Sequence, residues 1–498
     1  MTAAPALLLL LAATPGAKLR STYQARYQDR LVPLLSQLLR YDTVDKHAAA
    51  FAEQRAWLTG AATALGLDVR DQESFIEVEL PGPRDAPVLG LIVHGDVQPA
   101  DGREWSVPPF SGEVRDGEVW GRGAADDKGP VVQALLAMAT LRASGLPRTS
   151  TVRLLVGTSE ESKALDATEY LARHEPPGFS LVLDNTFPVV VGEKAWHEVL
   201  VSTPLRRAGA GSGPFEVTAL EAGLATSIVP DRAALSLVWV EGAPDWDPFL
   251  SKVRARTLPS GTRLEVTGEG PRRTLTVFGK SAHAGVALRQ GRNALVALAS
   301  AVDGLLPPSG AADLLAFALL AGGDLEGTGL GFRPEPPPWE GFDTNIATVK
   351  AEADGRLTLA INVRAPPSLW GPPLRTHVEE QVRAFDRRTG AALVVSGGYY
   401  EDKPLVFDAQ GRLVRRLLAA YSRAMGMPAE PVVSAGGTYA KRFPRTIAFG
   451  MWFPGAPYPG HAADERVPIA DLQAGVRVLL EVLGDLVCGR PLERPFER

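Results

Sequence analysis

The chain has 498 residues, of which 45% are hydrophobic and 22% are charged, and its formal net charge is −5. The length predicts two or three domains, and the composition excludes a largely disordered chain. No basic stripe with interleaved aromatic residues is found, so nucleic acid is not an expected partner. The single cysteine, Cys488, excludes an internal disulfide and a cysteine-based zinc site. Any metal ion must therefore be held by His, Asp and Glu.

The N-terminus begins with an apolar run, "ALLLLLAA", that is followed by small residues and Pro15. Its length is typical of a secretory signal core and is too short to span a membrane. We therefore expect a signal peptide over residues 1–17, cut near Ala17, and a periplasmic or secreted protein. The usual positive flank is missing, so the alternative is an uncleaved leader and a cytoplasmic protein. No other stretch of the sequence is long enough for a transmembrane helix.

Strands and helices then alternate along the chain. The segments "VLGLIVHGD", "VRLLVGTSEES" and "SLVLDNTF" are predicted strands, whereas "GPVVQALLAMATLRASG" and "LDATEYLARH" are predicted helices. This alternation predicts an α/β fold with a mostly parallel, mixed sheet flanked by helices. Such sheets carry their functional sites at the carboxyl ends of the strands.

The pattern changes near residue 195, where strands become amphipathic and loops become richer in Pro and Gly. A unit of two strands, a helix and a further strand starts at "ATSIVPDRAALSLVWVEG" and recurs at "TNIATVKAEADGRLTLAINVRAP". The repeat predicts an inserted α+β lid domain of doubled strand–helix units, over residues 196–399. The catalytic domain would be split into residues 18–195 and 400–498.

Acidic and histidine clusters follow the predicted strands or lie beside glycine turns. They are His94 with Asp96, Asp126 with Asp127, Glu160 with Glu161, Asp184, and His461 in "GHAADE". Charges buried at strand ends are costly unless they are paired or bind metal, and neighbouring carboxylates repel one another. Two histidines and three carboxylates suit a pair of zinc ions. Each cluster alone has a structural explanation, such as a helix cap, but together they predict a metal centre.

Asp96 lies two residues after His94, so the two side chains share a face of the strand. A carboxylate in this place can hold a metal-binding imidazole in one tautomer. We therefore predict that Asp96 supports the metal centre by orienting His94.

These motifs resemble those of the di-zinc exopeptidases, which include carnosinases, glutamate carboxypeptidases, aminoacylases and succinyl-diaminopimelate desuccinylases. The resemblance is carried by "HGDV", "GRGAADDKGP", "EES" and the late histidine before "DE". The bacterial dipeptidase V type is the most similar subgroup, through "FPVVVGEKAW", "SAGGTYAKRFP" and the long doubled insertion. A fold of the zinc-exopeptidase type is implied.

The resemblance also implies two zinc ions per chain, with Mn²⁺ or Co²⁺ as alternatives. One ion would be held by His94 and Asp184 and the other by Glu161 and His461, while Asp126 would bridge them. The peptide bond after Asp126 would be cis. Glu160 would be the general base that takes a proton from the metal-bridging water, and Asp96 would assist catalysis.

The lid would contribute further residues. His283 matches the family histidine that stabilises the oxyanion. In the family's dimers this histidine comes from the partner, but a doubled lid would let one chain supply its own. We therefore expect a monomer, with a homodimer as the alternative. Arg364 matches the family arginine that binds a substrate carboxylate. Backbone donors for the same carboxylate would come from Gly436, Gly437 and Thr438.

The predicted function is therefore zinc-dependent hydrolysis of dipeptides that have a free C-terminal carboxylate. One alternative keeps the site and changes the substrate, giving an N-acyl amino acid amidohydrolase or a short-peptide carboxypeptidase. Another is a non-catalytic binding domain, but such domains usually lack ligands or the base, which are all present here. Ser159, Ser227, Ala287 and Asp464 depart from the family pattern without removing a ligand.

Overall fold

The structure is a computed structural model that describes residues 14–45, 47–100, 102, 105–162, 164–205 and 213–498. Residues 1–13, most of the predicted signal peptide, lie outside this description. The helices are Pro15–Arg26 (α1), Leu31–Leu38 (α2), Ala48–Ala64 (α3), Lys128–Ala143 (α4), Leu165–Arg173 (α5), Asp247–Arg254 (α6), Ala294–Val302 (α7), Gly310–Ala321 (α8), Pro372–Thr389 (α9), Arg412–Met425 (α10) and Ile469–Leu486 (α11).

The strands are short and alternate with these helices in the first and last parts of the chain. They are Asp68–Asp71 (β1), Ile76–Leu80 (β2), Val88–His94 (β3), Glu113–Arg115 (β4), Glu118–Trp120 (β5), Thr151–Gly157 (β6), Phe179–Val182 (β7), Asn185–Thr186 (β8), Val190–Glu193 (β9), Ala195–Pro204 (β10), Phe215–Ala222 (β11), Arg232–Trp239 (β12), Arg263–Thr267 (β13), Arg272–Phe278 (β14), Asp343–Ala351 (β15), Arg356–Ala365 (β16), Val394–Asp402 (β17), Leu405–Val406 (β18), Val432–Ser434 (β19), Thr446–Ala448 (β20), Met451–Trp452 (β21) and Arg466–Pro468 (β22).

The first sheet has nine strands, eight of them in the order β1-β2-β6-β3-β7-β20-β9-β18, with β19 paired to β9. The central strands β6, β3, β7 and β20 are parallel. Towards the edges, β1, β2 and β18 pair antiparallel. The predicted mixed sheet is confirmed, and its parallel part is the centre.

Alternation along the central strands puts apolar side chains on both faces of this sheet. Leu91 and Val93 face a large core formed with α4, α10 and α11, whereas Ile92 between them faces a smaller cluster with Tyr170 and Tyr439. Helix α4 is buried along nearly its whole length. Helices therefore cover the two faces unequally, and the polar residues at the strand ends are left at an edge.

The second sheet contains eight strands in the order β13-β14-β12-β11-β15-β16-β10-β17, and its neighbouring strands pair antiparallel. The units β11–β12–α6–β13 and β15–β16–α9–β17 repeat one pattern, and β11 meets β15 at the centre of the sheet. Helices α6–α9 share a separate core with this sheet. This arrangement is the doubled lid that the sequence repeat predicts.

Local signals set the ends of several lid helices. Ser309 accepts a hydrogen bond from the Ala312 N–H at the start of α8. Helix α9 begins with Pro372 and ends at Thr389, and the next residue, Gly390, has a φ of 69° in the left-handed region that glycine adopts without strain.

The chain crosses between the two sheets at Lys194, after β9, and again between β17 and β18. The Lys441 ammonium donates to the Lys194 carbonyl and, over 2.9 Å, to Asp402 Oδ2 at the end of β17. Lys194 N–H in turn donates to the Ser434 carbonyl over 2.9 Å. The loop over residues 434–442 therefore holds both crossings against the first sheet.

The first described helix, α1, packs on α11 and buries Leu19 and Tyr23. Thr14 accepts a hydrogen bond from the Ala17 N–H over 3.2 Å. A cut near Ala17 would remove this cap and the first turn of α1. Within the described part of the chain, no helix combines the length and the apolar character that a membrane crossing needs.

Candidate metal centre and active site

The site lies where neighbouring parallel strands of the first sheet end. Strand β3 ends at His94 and pairs with both β6 and β7. Glu160 and Glu161 follow β6, and Asp184 follows β7. Because the carboxyl ends of parallel strands meet at one edge, these side chains converge. Asp126, just before α4, and His461, between β21 and β22, complete the cluster.

The first donor group consists of His94, Asp126 and Asp184, whose donor atoms lie within 4.8 Å of one another. His94 Nε2 is 3.0 Å from Asp126 Oδ1 and 3.7 Å from Asp184 Oδ2. Burial, followed by the negative charges of Asp126 and Asp127, raises the pKa of Asp184 well above its ordinary value. This crowding of carboxylates is what a bound cation would relieve.

The second donor group consists of Asp126, Glu161 and His461, again within 4.8 Å. His461 Nε2 is 3.1 Å from each Glu161 oxygen and 3.1 Å from Asp126 Oδ2. Burial lowers the pKa of His461, but the Glu161 and Asp126 carboxylates outweigh it and raise that pKa to about 10. Asp126 therefore presents Oδ1 to one group and Oδ2 to the other, as a bridging ligand would.

The donor chemistry fits a pair of divalent cations. Three carboxylates and two imidazoles, without a thiolate, are ligands that zinc accepts and that manganese and cobalt also bind. His94 is buried, and its Nδ1 contacts the Asp96 carbonyl over 3.0 Å, which leaves Nε2 for the site. The five residues expected to bind metal are brought together, with Asp126 shared by the two groups.

Asp96 has more contacts than the sequence predicted. Its backbone carbonyl is closer to His94 Nδ1 than its carboxylate is, at 3.0 Å against 3.4 Å. The carboxylate accepts the N–H groups of Glu160 and Glu161 over 3.2 and 2.9 Å. Asp96 thus holds the turn after β6 as well as the histidine at the end of β3.

The sequence did not predict the supporting contacts that Glu465 and Asp127 make at the metal centre. Glu465 accepts hydrogen bonds from the N–H groups of Ala125 and Asp126 and pairs with Arg122 over 2.7 Å. Glu465 lies in the "DE" that follows His461, so this motif is a sequence signal for its place near the metal centre. Asp127 accepts the His94 N–H over 3.1 Å, and the Asp126–Asp127 peptide bond is cis, as expected.

Gln98 and Tyr458 were also missed, and no local pattern marks either of them. Gln98 Nε2 donates to Glu161 Oε2 over 2.9 Å and to Ser227 Oγ of the lid over 3.1 Å. The Tyr458 hydroxyl donates to Asp126 Oδ2 over 2.7 Å. Both contacts join segments that are far apart in the chain.

Glu160 is not part of either donor group. No described residue donates a hydrogen bond to its carboxylate, although its backbone is held by Asp96. Burial and the nearby charges of Glu161 and Asp126 raise the pKa of Glu160 well above its ordinary value, against the opposing effect of His94. A carboxylate with these properties is suited to accepting a proton beside the metal centre.

Two cavities meet at this centre. One has a volume of about 420 Å³ and extends past Asp184, Trp339 and Tyr458. The other, of about 470 Å³, has Trp196 and Arg364 in its lining. Their shared lining consists of Glu160, Glu161, His283, Gly437 and Thr438. A substrate whose reacting bond lies at the shared wall would extend into both cavities.

His283 reaches the centre from the lid of the same chain. Its Nδ1 accepts the N–H groups of Gly285 and Val286 over 2.8 and 3.2 Å, so the ring proton is on Nε2. The ring stacks on His461 with centroids 4.3 Å apart. Burial and the charge of His461 hold the pKa of His283 well below its ordinary value. His283 is therefore a neutral donor at the shared wall.

Arg364 is buried, with 4% of its surface exposed, and it lines the second cavity. Its Nε donates to Asn362 Oδ1 over 3.1 Å, and its remaining N–H groups have no partner among the described residues. Burial lowers the pKa of Arg364 to about 10, so it stays charged at neutral pH. The guanidinium is available to an anionic group in this cavity.

The loop with Gly436, Gly437 and Thr438 has fewer free donors than expected. Gly436 N–H donates to Ser434 Oγ over 3.0 Å. Thr438 N–H and Oγ1 donate to the Glu193 carboxylate over 3.2 and 2.8 Å. The buried Glu193 already takes both donors of Thr438. Of the three backbone N–H groups, only that of Gly437 has no acceptor among the described residues.

Fold and site together define a metallopeptidase. The chain belongs to the peptidase family M20/M25/M40, whose model matches residues 90–485. The family and the enzyme class predicted from the sequence are thereby confirmed.

Three of the similar proteins carry dipeptidase names. The putative dipeptidase YtjP of Bacillus subtilis (strain 168) is 26% identical over 470 residues, which cover 93% of this chain and 98% of that protein. The Beta-Ala-Xaa dipeptidase of Lactobacillus delbrueckii subsp. lactis is 28% identical over 404 residues, or 80% of this chain and 82% of that protein. Human carnosine dipeptidase 1 shares the fold, with a TM-score of 0.57 and 14% identity over 93% of this chain and 98% of that chain.

Proposed function

We propose that the protein is a dipeptidase that uses two zinc ions to hydrolyse dipeptides with a free C-terminal carboxylate. The observation that carries this proposal is the position of Arg364. Arg364 is a buried guanidinium in the lining of the cavity that Glu160 and His283 also line. A guanidinium fork binds a planar carboxylate through two hydrogen bonds. The dipeptidase names of the relatives support the same substrate class.

The metal ions would be held by the two donor groups that share Asp126. When bound, they supply a water of lowered pKa and a Lewis acid for the scissile carbonyl. The protein's own residues would do the rest. Glu160 would accept the proton of the attacking water and deliver it to the leaving amine. Its carboxylate is suited to both steps, because no described residue donates a hydrogen bond to it.

Lid residues would stabilise the negative charge that develops on the carbonyl oxygen. His283 is neutral with its proton on Nε2, so it can donate without any change of protonation state. On the leaving side, Arg364 and the Gly437 N–H would hold the substrate carboxylate. These contacts would fix the reacting bond at the wall shared by the two cavities.

A second candidate keeps the site and changes the group in the first cavity. Apart from the proposed ligands and Glu160, the described acids that line this cavity are Asp343, paired with Lys194 over 2.6 Å, and the exposed Glu340. Neither is a buried, unpaired partner for a substrate ammonium group. This cavity is therefore also compatible with the substrates of an N-acyl amino acid amidohydrolase or of a short-peptide carboxypeptidase.

A substrate panel separates these functions. The metal-loaded enzyme would be assayed on a dipeptide, its C-terminal amide, the matching N-acetyl amino acid and a tripeptide. We expect the free dipeptide to have the highest kcat/KM and the amide to lose most of it. Preferred cleavage of the N-acetyl amino acid would establish the acylase instead. Equal cleavage of the amide and the free acid would contradict the role of Arg364.

We further propose that the enzyme is active as a monomer, since His283 reaches the centre within one chain. Light scattering coupled to size exclusion should give one chain per particle, and specific activity should not depend on enzyme concentration. A strictly dimeric active form would contradict this proposal.

We also propose that the N-terminal segment directs export and is cut near Ala17. Sequencing the N-terminus of the mature protein tests this proposal.

A further inference from the structure

Tyr458 contacts one carboxylate oxygen of Asp126, the residue that would bridge the two ions. Its hydroxyl donates to Asp126 Oδ2 over 2.7 Å. The same oxygen faces His461 Nε2 at 3.1 Å, whereas Asp126 Oδ1 faces His94. Tyr458 therefore bonds the carboxylate oxygen that belongs to the group with Glu161 and His461. No described hydroxyl makes the equivalent bond to Oδ1.

The tyrosine is held in place by both domains. Its ring makes edge contacts with Trp452 and with His283 of the lid, at centroid distances of 5.2 and 5.7 Å. With the Gln290 amide oriented to satisfy both groups, its nitrogen donates to the Tyr458 carbonyl over 3.3 Å and its oxygen accepts the Tyr458 N–H over 3.2 Å. A side chain at Gly460 would come within 2.5 Å of the tyrosine ring, so the glycine makes room for it.

A carboxylate oxygen has two lone pairs, so Asp126 Oδ2 can bind a cation with one and accept the Tyr458 O–H with the other. Such a hydrogen bond fixes the plane of the carboxylate without removing a ligand. Partners of metal ligands matter for affinity, and their loss typically weakens metal binding or activity by about 10–100-fold.

We propose that Tyr458 is a positioning residue that fixes the Asp126 bridge and makes the two ion sites unequal. The inference rests on the proposed two-ion site. Tyr458 supports the ion held by Glu161 and His461 and leaves the ion held by His94 and Asp184 without an equivalent support. Its contacts with His283 and Gln290 also tie this support to the position of the lid.

The test compares metal binding by wild-type protein, Tyr458→Phe and a matched control, Tyr170→Phe. Tyr170 is a buried tyrosine whose hydroxyl bonds the Glu77 carboxylate over 3.1 Å, away from the metal centre. Each protein is freed of metal with a chelator and titrated with Co²⁺, which is followed by its visible absorption. Zn²⁺ is then titrated in competition with a chromophoric chelator. Phenylalanine keeps the ring and removes only the O–H.

We expect wild-type protein and Tyr170→Phe to bind two ions alike. In Tyr458→Phe, one binding step should be unchanged and the other weaker by about 10–100-fold. Two unchanged steps in Tyr458→Phe would overturn the inference while leaving the proposed two-ion site intact. Equal weakening of both steps would contradict the one-sided support. A wild-type protein that binds no ion would refute the two-ion site itself.

Discussion

Glu193 provides a test of the junction between the two domains. It is fully buried, and its carboxylate accepts two hydrogen bonds from Thr438, in the loop that holds both chain crossings. Burial raises the pKa of Glu193 from 4.5 to about 7, against the opposing effect of Lys441. Glu193→Gln removes the ionisable group. The amide can still accept the Thr438 N–H with its oxygen and donate to the Thr438 hydroxyl with its nitrogen.

The sign of the pH dependence follows from the raised pKa. The folded chain binds the Glu193 proton more tightly than the unfolded chain, so protonation of Glu193 stabilises the folded chain. This stabilisation is fully present below pH 4.5. It is lost as the pH rises through about 7. A pKa difference of this size corresponds to roughly 3 kcal/mol in the free energy of unfolding. The Gln variant is neutral throughout, so its stability relative to wild type should rise by roughly 2–3 kcal/mol between pH 5 and pH 8.

Urea unfolding of metal-saturated protein, followed by tryptophan fluorescence at pH 5 and pH 8, measures this difference. Glu53→Gln is the control, because it makes the same change on an exposed position of α3. The control should follow wild type at both pH values. A Glu193→Gln variant whose stability relative to wild type is the same at pH 5 and pH 8 would show that the pKa of Glu193 is not raised in the folded chain.

The other predictions concern the catalytic groups and the junction between the two domains. Glu160→Gln should keep its fold and metal content but lose turnover by about 10²–10⁴-fold, since an amide cannot accept the proton; near-normal kcat would exclude it as the base. His283→Ala should lower kcat by about 10²–10³-fold through loss of an oxyanion donor, and an unchanged kcat would contradict that role. Arg364→Met should raise KM for free dipeptides and spare amidated ones, so an equal loss on both would count against carboxylate binding. Lys441→Met should lower the free energy of unfolding by about 3 kcal/mol, because buried Asp402 loses its main cation. An unchanged urea midpoint would show that the ion pair between Lys441 and Asp402 does not stabilise the junction.

Three of the five proposed ligands, His94, Glu161 and Asp184, stand at or just after the ends of apolar strands, so the sequence predicts that they lie close together. Short apolar runs identify the strands, and parallel pairing then brings residues such as His94 and Asp184 to one edge. The doubled lid is similarly visible, since its two units repeat in the sequence. The family resemblance distinguishes Glu160, the predicted base, from Glu161, a predicted ligand, because their positions in the sequence alone do not decide between these roles.

The remaining contacts depend on where distant loops meet. The donors of Thr438 are taken by Glu193, which precedes them by many residues and pairs with them only in the folded chain. Tyr458 and Gln98 reach ligands on other segments, and each also contacts the lid. No local pattern encodes such contacts, because they follow from the relative placement of two domains.

The proposed chemistry requires two metal ions, one at each of the donor groups that share Asp126. Anomalous diffraction at the zinc absorption edge, from crystals of zinc-loaded protein, tests it most directly. We expect two strong peaks, one beside His94 and Asp184 and the other beside Glu161 and His461. A zinc-loaded crystal with no peak there, or with zinc bound only elsewhere on the chain, would contradict it.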